Sequence, residues 1–184
     1  MQLGVICERL DVREREARYI LERGFVPKGV VASPDSGNYR QFGPGQAFWL
    51  GMVLKLKQFG IATPLSVKIA EYALLSLRTV TKNLNWEWTF DPSKGWFDTE
   101  HQYFVELAGL VEGIEYIRFG TDASPSCGGR IEYFDWHRIE KPGTPVRDLQ
   151  PCVLIRLDLS SIARLLAGAF GKSEPGLTRA DNRL

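Results

Sequence analysis

The sequence predicts an α+β fold in which helices come first and a small antiparallel sheet follows, closed by one more helix. Three observations predict it. Apolar residues recur at helical spacing through roughly the first 83 positions, alternating and aromatic runs take over from Leu84, and the charge changes sign at the same place. Residues 1–84 hold 12 Lys and Arg against 7 Asp and Glu, a net +5, whereas residues 85–184 hold 11 against 15, a net −4. A basic first half predicts a polyanion-binding module joined to something else. The chain of 184 residues is 44% hydrophobic and 24% charged, with 18 Gly and 10 Pro, which excludes disordered, collagenous and low-complexity classes. No run of about 18 apolar residues occurs. Charged residues stand within the first nine positions instead of a basic and then apolar leader, so a cytoplasmic location is expected.

In the opening helix, 3–10, Leu3, Ile6 and Leu10 share a face, and Asp11 with Val12 interrupts the run. A second helix sets Ala17, Ile20 and Leu21 on one face, with Arg13, Glu14, Arg15 and Arg18 elsewhere, and stops at Gly24. Two short helices with a tight turn between them form a helix-turn-helix. Pro27, Gly29, Pro34 and Gly37 then frame the β-prone pieces 29–32 and 38–42, a hairpin or wing. Phe48, Trp49, Met52, Val53 and Leu56 predict a third helix over 46–59, ended by Gly60. Pro64, after Thr63, opens a fourth of about twenty residues, in which Leu65, Ile69, Tyr72, Leu75 and Val80 recur up to about Asn83.

Strands are expected at 84–90, 114–119, 130–139 and 152–159, separated by turn material at 91–95, 121–129 and 141–144. The run 100–110 fits helix or strand, and its length favours helix. Ser160 is expected to cap a closing helix over 161–169, and 171–184 reads as a frayed polar tail. The expected units are therefore a DNA-binding domain at 1–83, including the connecting helix 64–83, a β-rich dimerisation or effector domain at 84–170, and the tail.

Over roughly residues 3–75 the chain resembles the MerR family of bacterial transcription regulators, which pair a winged helix-turn-helix with a variable C-terminal part. Arg18, Tyr19, Gly24, Phe25, Val26 and Pro27 fall without a gap at the spacing of that family's recognition helix and following turn. Gly37, Asn38, Tyr39, Arg40, Gln41 and Phe42 match its wing signature. The resemblance implies phosphate contacts from Arg18, Tyr19 and Arg40, with Tyr39 on the wing beside them. Packing under the wing is the alternative role for Tyr19. It also implies a homodimer on paired half-sites.

Independently of the family, a short helix bearing Arg13, Arg15 and Arg18 suits the major groove, and Arg13 and Arg15 near its start are the candidates for base edges. Glu14 either accepts from a cytosine amino group or pairs with Arg18 four residues on. Lys28, on the wing, meets phosphate or the minor groove. Lys55 and Lys57 are assigned to solubility, and Phe42, Phe48, Trp49 and Leu56 to the core.

Three departures from the family stand out. Ile20 and Leu21 replace its usual Tyr and Glu and add apolar surface. Asp11 replaces a turn glycine, which Asp tolerates. After Gly60 one helix leads straight to strands, where the family has a short helix followed by a long coiled-coil helix. The family's DNA-twisting activation mechanism needs that rigid dimer geometry and is not carried over, so activation, repression and architectural binding all stay open. Dimerisation falls to the 64–83 helix or to the β-rich part.

Trp86, Trp88, Tyr103 and Trp136 form a candidate effector pocket for a cation, or else a small sheet core or dimer face. Cys7, Cys127 and Cys152 are odd in number, widely separated and without CxxC, so neither a disulfide framework, a zinc site nor another cofactor is expected. Asp135 and His137 near Ser126 or Cys127 are the best case for an enzyme, but no nucleophile elbow or oxyanion hole accompanies them. The expected function is sequence-specific binding of double-stranded DNA by a transcription regulator, with no catalysis and no membrane partner. An architectural or excisionase-type adaptor with a protein-binding β domain is the alternative.

Overall fold

Helical periodicity at the start of the chain is realised as two helices, α1 (Leu3–Leu10) and α2 (Glu14–Glu22). They belong to a computed structural model that describes residues 1–27, 41–83, 101–110, 113–122, 130–138 and 153–167. Ile6 and Leu10 of α1 and Ala17, Ile20 and Leu21 of α2 are buried as the spacing predicts, while Cys7 joins them and Leu3 is only partly buried. Between them the chain reverses at Asp11, whose backbone is left-handed at φ 51° and ψ 55°. Asp tolerates that conformation better than most side chains do. Asp11 and Val12 donate their N–H groups to Glu8 and Cys7 carbonyls at 3.2 and 3.0 Å, closing the end of α1. Ile20 and Leu21, expected to add apolar surface, lie instead in the core at 0% and 4% exposure. After α2 the chain turns at Gly24, φ +84°, where a side chain would be strained.

The expected hairpin at 29–42, with Lys28, Tyr39 and Arg40, lies almost wholly outside the described residues. Its returning end does not. Gln41 bridges antiparallel to Gln2, and Met1 and Phe42 exchange N–H···O bonds of 2.8 Å, so the chain start and the entry to the third helix are tied together.

That third helix, α3 (Pro44–Gln58), begins with Pro in its first turn and the Gly43 N–H donating to Gln46 Oε1 at 2.8 Å. Every residue from Ala47 to Leu54 is buried. A helix apolar on all sides must be surrounded, and α3 touches α1, α2, a fourth helix α4 (Thr63–Asn83), a fifth helix α5 (Leu159–Ala167) and the sheet.

The sheet contains β1 (Tyr103–Leu110), β2 (Gly113–Thr121), β3 (Glu132–Arg138) and β4 (Val153–Asp158), all pairs antiparallel, in the order β3-β2-β1-β4. The chain is thus α+β. The expected strand at 84–90 lies outside the described residues. The helix favoured for 100–110 is corrected by the structure, where it is the interior strand β1. Flanked on both sides, β1 is buried on both faces, from Tyr103 and Val105 on one to Phe104 and Glu106 on the other. Such a strand loses the polar alternation that marks a half-exposed one.

The cap expected from Ser160 is also corrected. Asp158 caps α5, its Oδ1 accepting from the Ser161 N–H at 2.9 Å, while Ser160 lies inside the helix. Ser160 Oγ accepts from the Tyr103 N–H at 2.8 Å and donates to the His101 carbonyl at 2.9 Å, which fixes the start of β1 against α5.

One core runs through all of this, from Ile6 and Leu10 through α3 to Leu107, Leu157 and Leu166. α5 packs on α1, α3 and β1. It packs tightly against α3 at Gly51, where a Cβ would stand 3.0 Å from Ile162 Cγ2 and 3.2 Å from Leu10 Cδ1. Only the missing side chain lets the three helices meet there.

On the other sheet face, Glu106 is fully buried and register-paired with Arg118 on one side and Arg156 on the other. Arg118 Nε donates to Glu106 Oε2 at 2.6 Å and Arg156 Nε to Oε1 at 2.9 Å, so each carboxylate oxygen is held by its own guanidinium. The Arg156 guanidinium also lies 4.3 Å from the Phe104 ring centre.

Candidate nucleic-acid interface

The first turns of α2 put charged side chains on the face that Ala17, Ile20 and Leu21 leave outward. Arg13, just before the helix with an extended backbone (φ −71°, ψ 125°), Arg15, Arg18 and Tyr19 are all exposed. Glu14 and Arg18 pair across one helical turn, Arg18 Nε to Glu14 Oε1 at 2.9 Å, with 59% and 41% of the two side chains exposed. Of the two roles weighed for Glu14, the structure shows the pair. At such exposure it contributes only about 0.3–0.5 kcal/mol, so it holds Arg18 only weakly. Tyr19 is half exposed and carries the Arg23 guanidinium 4.9 Å from its ring centre.

The end of α3 completes the surface. Gln58 Nε2 donates to the Asp11 carbonyl at 3.0 Å, joining α3 to the turn between α1 and α2, and Lys57 Nζ donates to Thr63 Oγ1 at 3.0 Å. Together they make a groove of about 510 Å³ lined by Arg13, Arg15, Glu16, Tyr19 and Lys57. A second hollow of about 680 Å³ continues it past Asp11, Val12 and Gln58, sharing Arg13, Glu16 and Lys57 with the first. Among the described residues no ion pair engages Arg13, Arg15 or Lys57. Three cations against one carboxylate leave the first hollow at +2, and Asp11 in the second brings the two together to +1. No family model, curated protein or solved structure matches the chain.

The groove brings together Arg13, Arg15 and Tyr19 of the expected DNA-binding residues, with Arg18 and Glu14 one helix face away. Lys28, Tyr39 and Arg40 lie outside the described residues. Two groove residues had no such role in the sequence. Lys57 reaches the groove through the fold, from the far end of another helix, and nothing local to its sequence marks it. Glu16 carried a legible signal, since it stands three residues from both Arg13 and Tyr19 and so on their face of the helix.

The candidate effector residues fare differently. Tyr103 is 1% exposed, its ring 6.3 Å from that of Phe119, which is the core packing weighed as its alternative role. Trp136 is the register partner of Arg118 on β3, and Trp86 and Trp88 lie outside the described residues. Of the residues considered for catalysis, Asp135 and His137 stand two apart on β3, whereas Ser126 and Cys127 lie outside the described residues. The described residues contain no group of three or more His, Cys, Asp or Glu placed to hold a metal, and none of their helices is long and apolar enough to cross a membrane.

Proposed function

We propose that this protein is a sequence-specific, double-stranded DNA-binding transcription regulator built on a MerR-like winged helix-turn-helix and acting as a homodimer on an inverted repeat in the cytoplasm. The observation that carries the reading is the groove, where Arg13, Arg15 and Lys57 converge from α2 and α3 with no ion pair among the described residues. Cations left unneutralised on an exposed face suit a polyanion, and guanidinium forks suit guanine edges and phosphates. The three-residue turn between α1 and α2 and the net +5 of residues 1–84 point the same way.

The test is a salt titration of the protein on a pool of random duplexes, with sequencing of what is retained at the highest salt. An enriched inverted repeat is expected, with log K falling by about 0.9 per phosphate contact for each unit of log salt. Salt-sensitive retention without enrichment would make the protein an architectural binder, and no retention at low salt would overturn the interface altogether.

A further inference from the structure

We propose, resting on the DNA-binding reading, that Glu16 is a specificity-determining residue whose carboxylate accepts a hydrogen bond from a cytosine amino group in the major groove. Glu16 lines both hollows of the groove and is half-buried. It shares them with Arg13 and Lys57, yet among the described residues its side chain makes neither ion pair nor hydrogen bond. Glu14, two residues earlier, is by contrast engaged by Arg18. An unengaged carboxylate amid cations repels phosphate, so it has no place on the DNA backbone.

It faces base edges when a duplex lies across Arg13, Arg15 and Lys57. Ionised, it only accepts hydrogen bonds. Guanine shows it acceptors, and so does the O4 of thymine. Adenine sets its N7 acceptor beside the N6 donor, where it opposes the second carboxylate oxygen, whereas cytosine offers its N4 donor without that neighbour. Arg13 stands one helical turn away and has the fork for the guanine of the same or the adjacent pair.

The experiment repeats the duplex selection at fixed salt with the wild-type chain, Glu16→Gln and Glu16→Ala, with helical circular dichroism confirming that all three are folded. The wild type is expected to favour cytosine at one position of each half-site by roughly 5- to 150-fold. Glu16→Ala should flatten that position alone, and Glu16→Gln, an isostere with a donor and an acceptor, should move it to adenine. Both should hold random duplex at least as tightly as the wild type, because a repelling charge is gone. Variants that keep the cytosine preference, or that lose every position together, overturn the proposal. Salt-sensitive wild-type binding without any enrichment also overturns it while leaving the interface standing, whereas no binding at low salt overturns both.

Discussion

Arg13 and Lys57 line the same groove but reach it from different backbones, and that difference predicts different phenotypes. Arg13 stands at the start of α2, where the DNA-binding reading puts base edges, so Arg13→Ala should relax base preference. Lys57 is a compact charge on a flexible stem, held among the described residues by the Thr63 hydroxyl. Lys57→Ala should weaken binding about equally on all sequences and reduce the salt slope by about one, measured by fluorescence anisotropy at several salt concentrations. Equal loss of preference in both variants would contradict the assignment. Arg40→Ala is expected to behave as Lys57→Ala does.

Cys7 is a different kind of residue. It is 3% exposed, and burial first, with the Glu14 charge second and Arg18 opposing, raises its pKa from 9.0 to about 11. The folded chain thus holds a proton that the unfolded chain gives up earlier. The stability this confers is complete below pH 9 and is lost as pH rises toward about 11. The expected decline over that window is about 2 kcal/mol, read from urea unfolding of wild type against Cys7→Ala. At neutral pH the Cys7 peptide should resist iodoacetamide in the native state and react once unfolded.

At the scale of elements, α5 depends on an absence. Gly51→Val would drive a side chain into Ile162 and Leu10, two groups fixed by α5 and α1, and should cost about 1–3 kcal/mol by urea denaturation. An unchanged midpoint would mean that α5 gives way freely. The helices were legible in the sequence because their apolar residues recur at helical spacing, as a stripe in α2 at Ala17, Ile20 and Leu21 and on all sides in α3, and the glycines at 24 and 60 mark where these two stop. β1 was not legible, since Tyr103 to Ala108 are buried on both faces and show no alternation. Asp158 and Ser160 both stand near the start of α5, and local sequence cannot tell which one caps it. The answer lay with His101 and Tyr103, some fifty-nine and fifty-seven positions away, which claim the Ser160 hydroxyl. The groove was half legible for a similar reason: its α2 side is local, and its α3 side is tertiary.

Over the whole molecule, helices and sheet share one core, with α5 covering α1 and α3. A fragment ending at residue 83 lacks that cover, leaving Leu10 and the Gly51 face of α3 open to water. It is expected to show weaker helical circular dichroism and a broader, lower thermal transition than the full chain, whereas a fragment as cooperative as the full chain would make the helices an autonomous unit. The position of α5 in the chain then sets when that core can close. α3 leaves the ribosome about a hundred residues before α5 does, a delay of roughly 5–20 seconds at ordinary rates of synthesis. During that interval the groove residues already exist without the helix that completes their support. A polypeptide released before α5 therefore lacks the helix that packs on α1 and α3, and is expected to hold the groove less firmly than the finished molecule does.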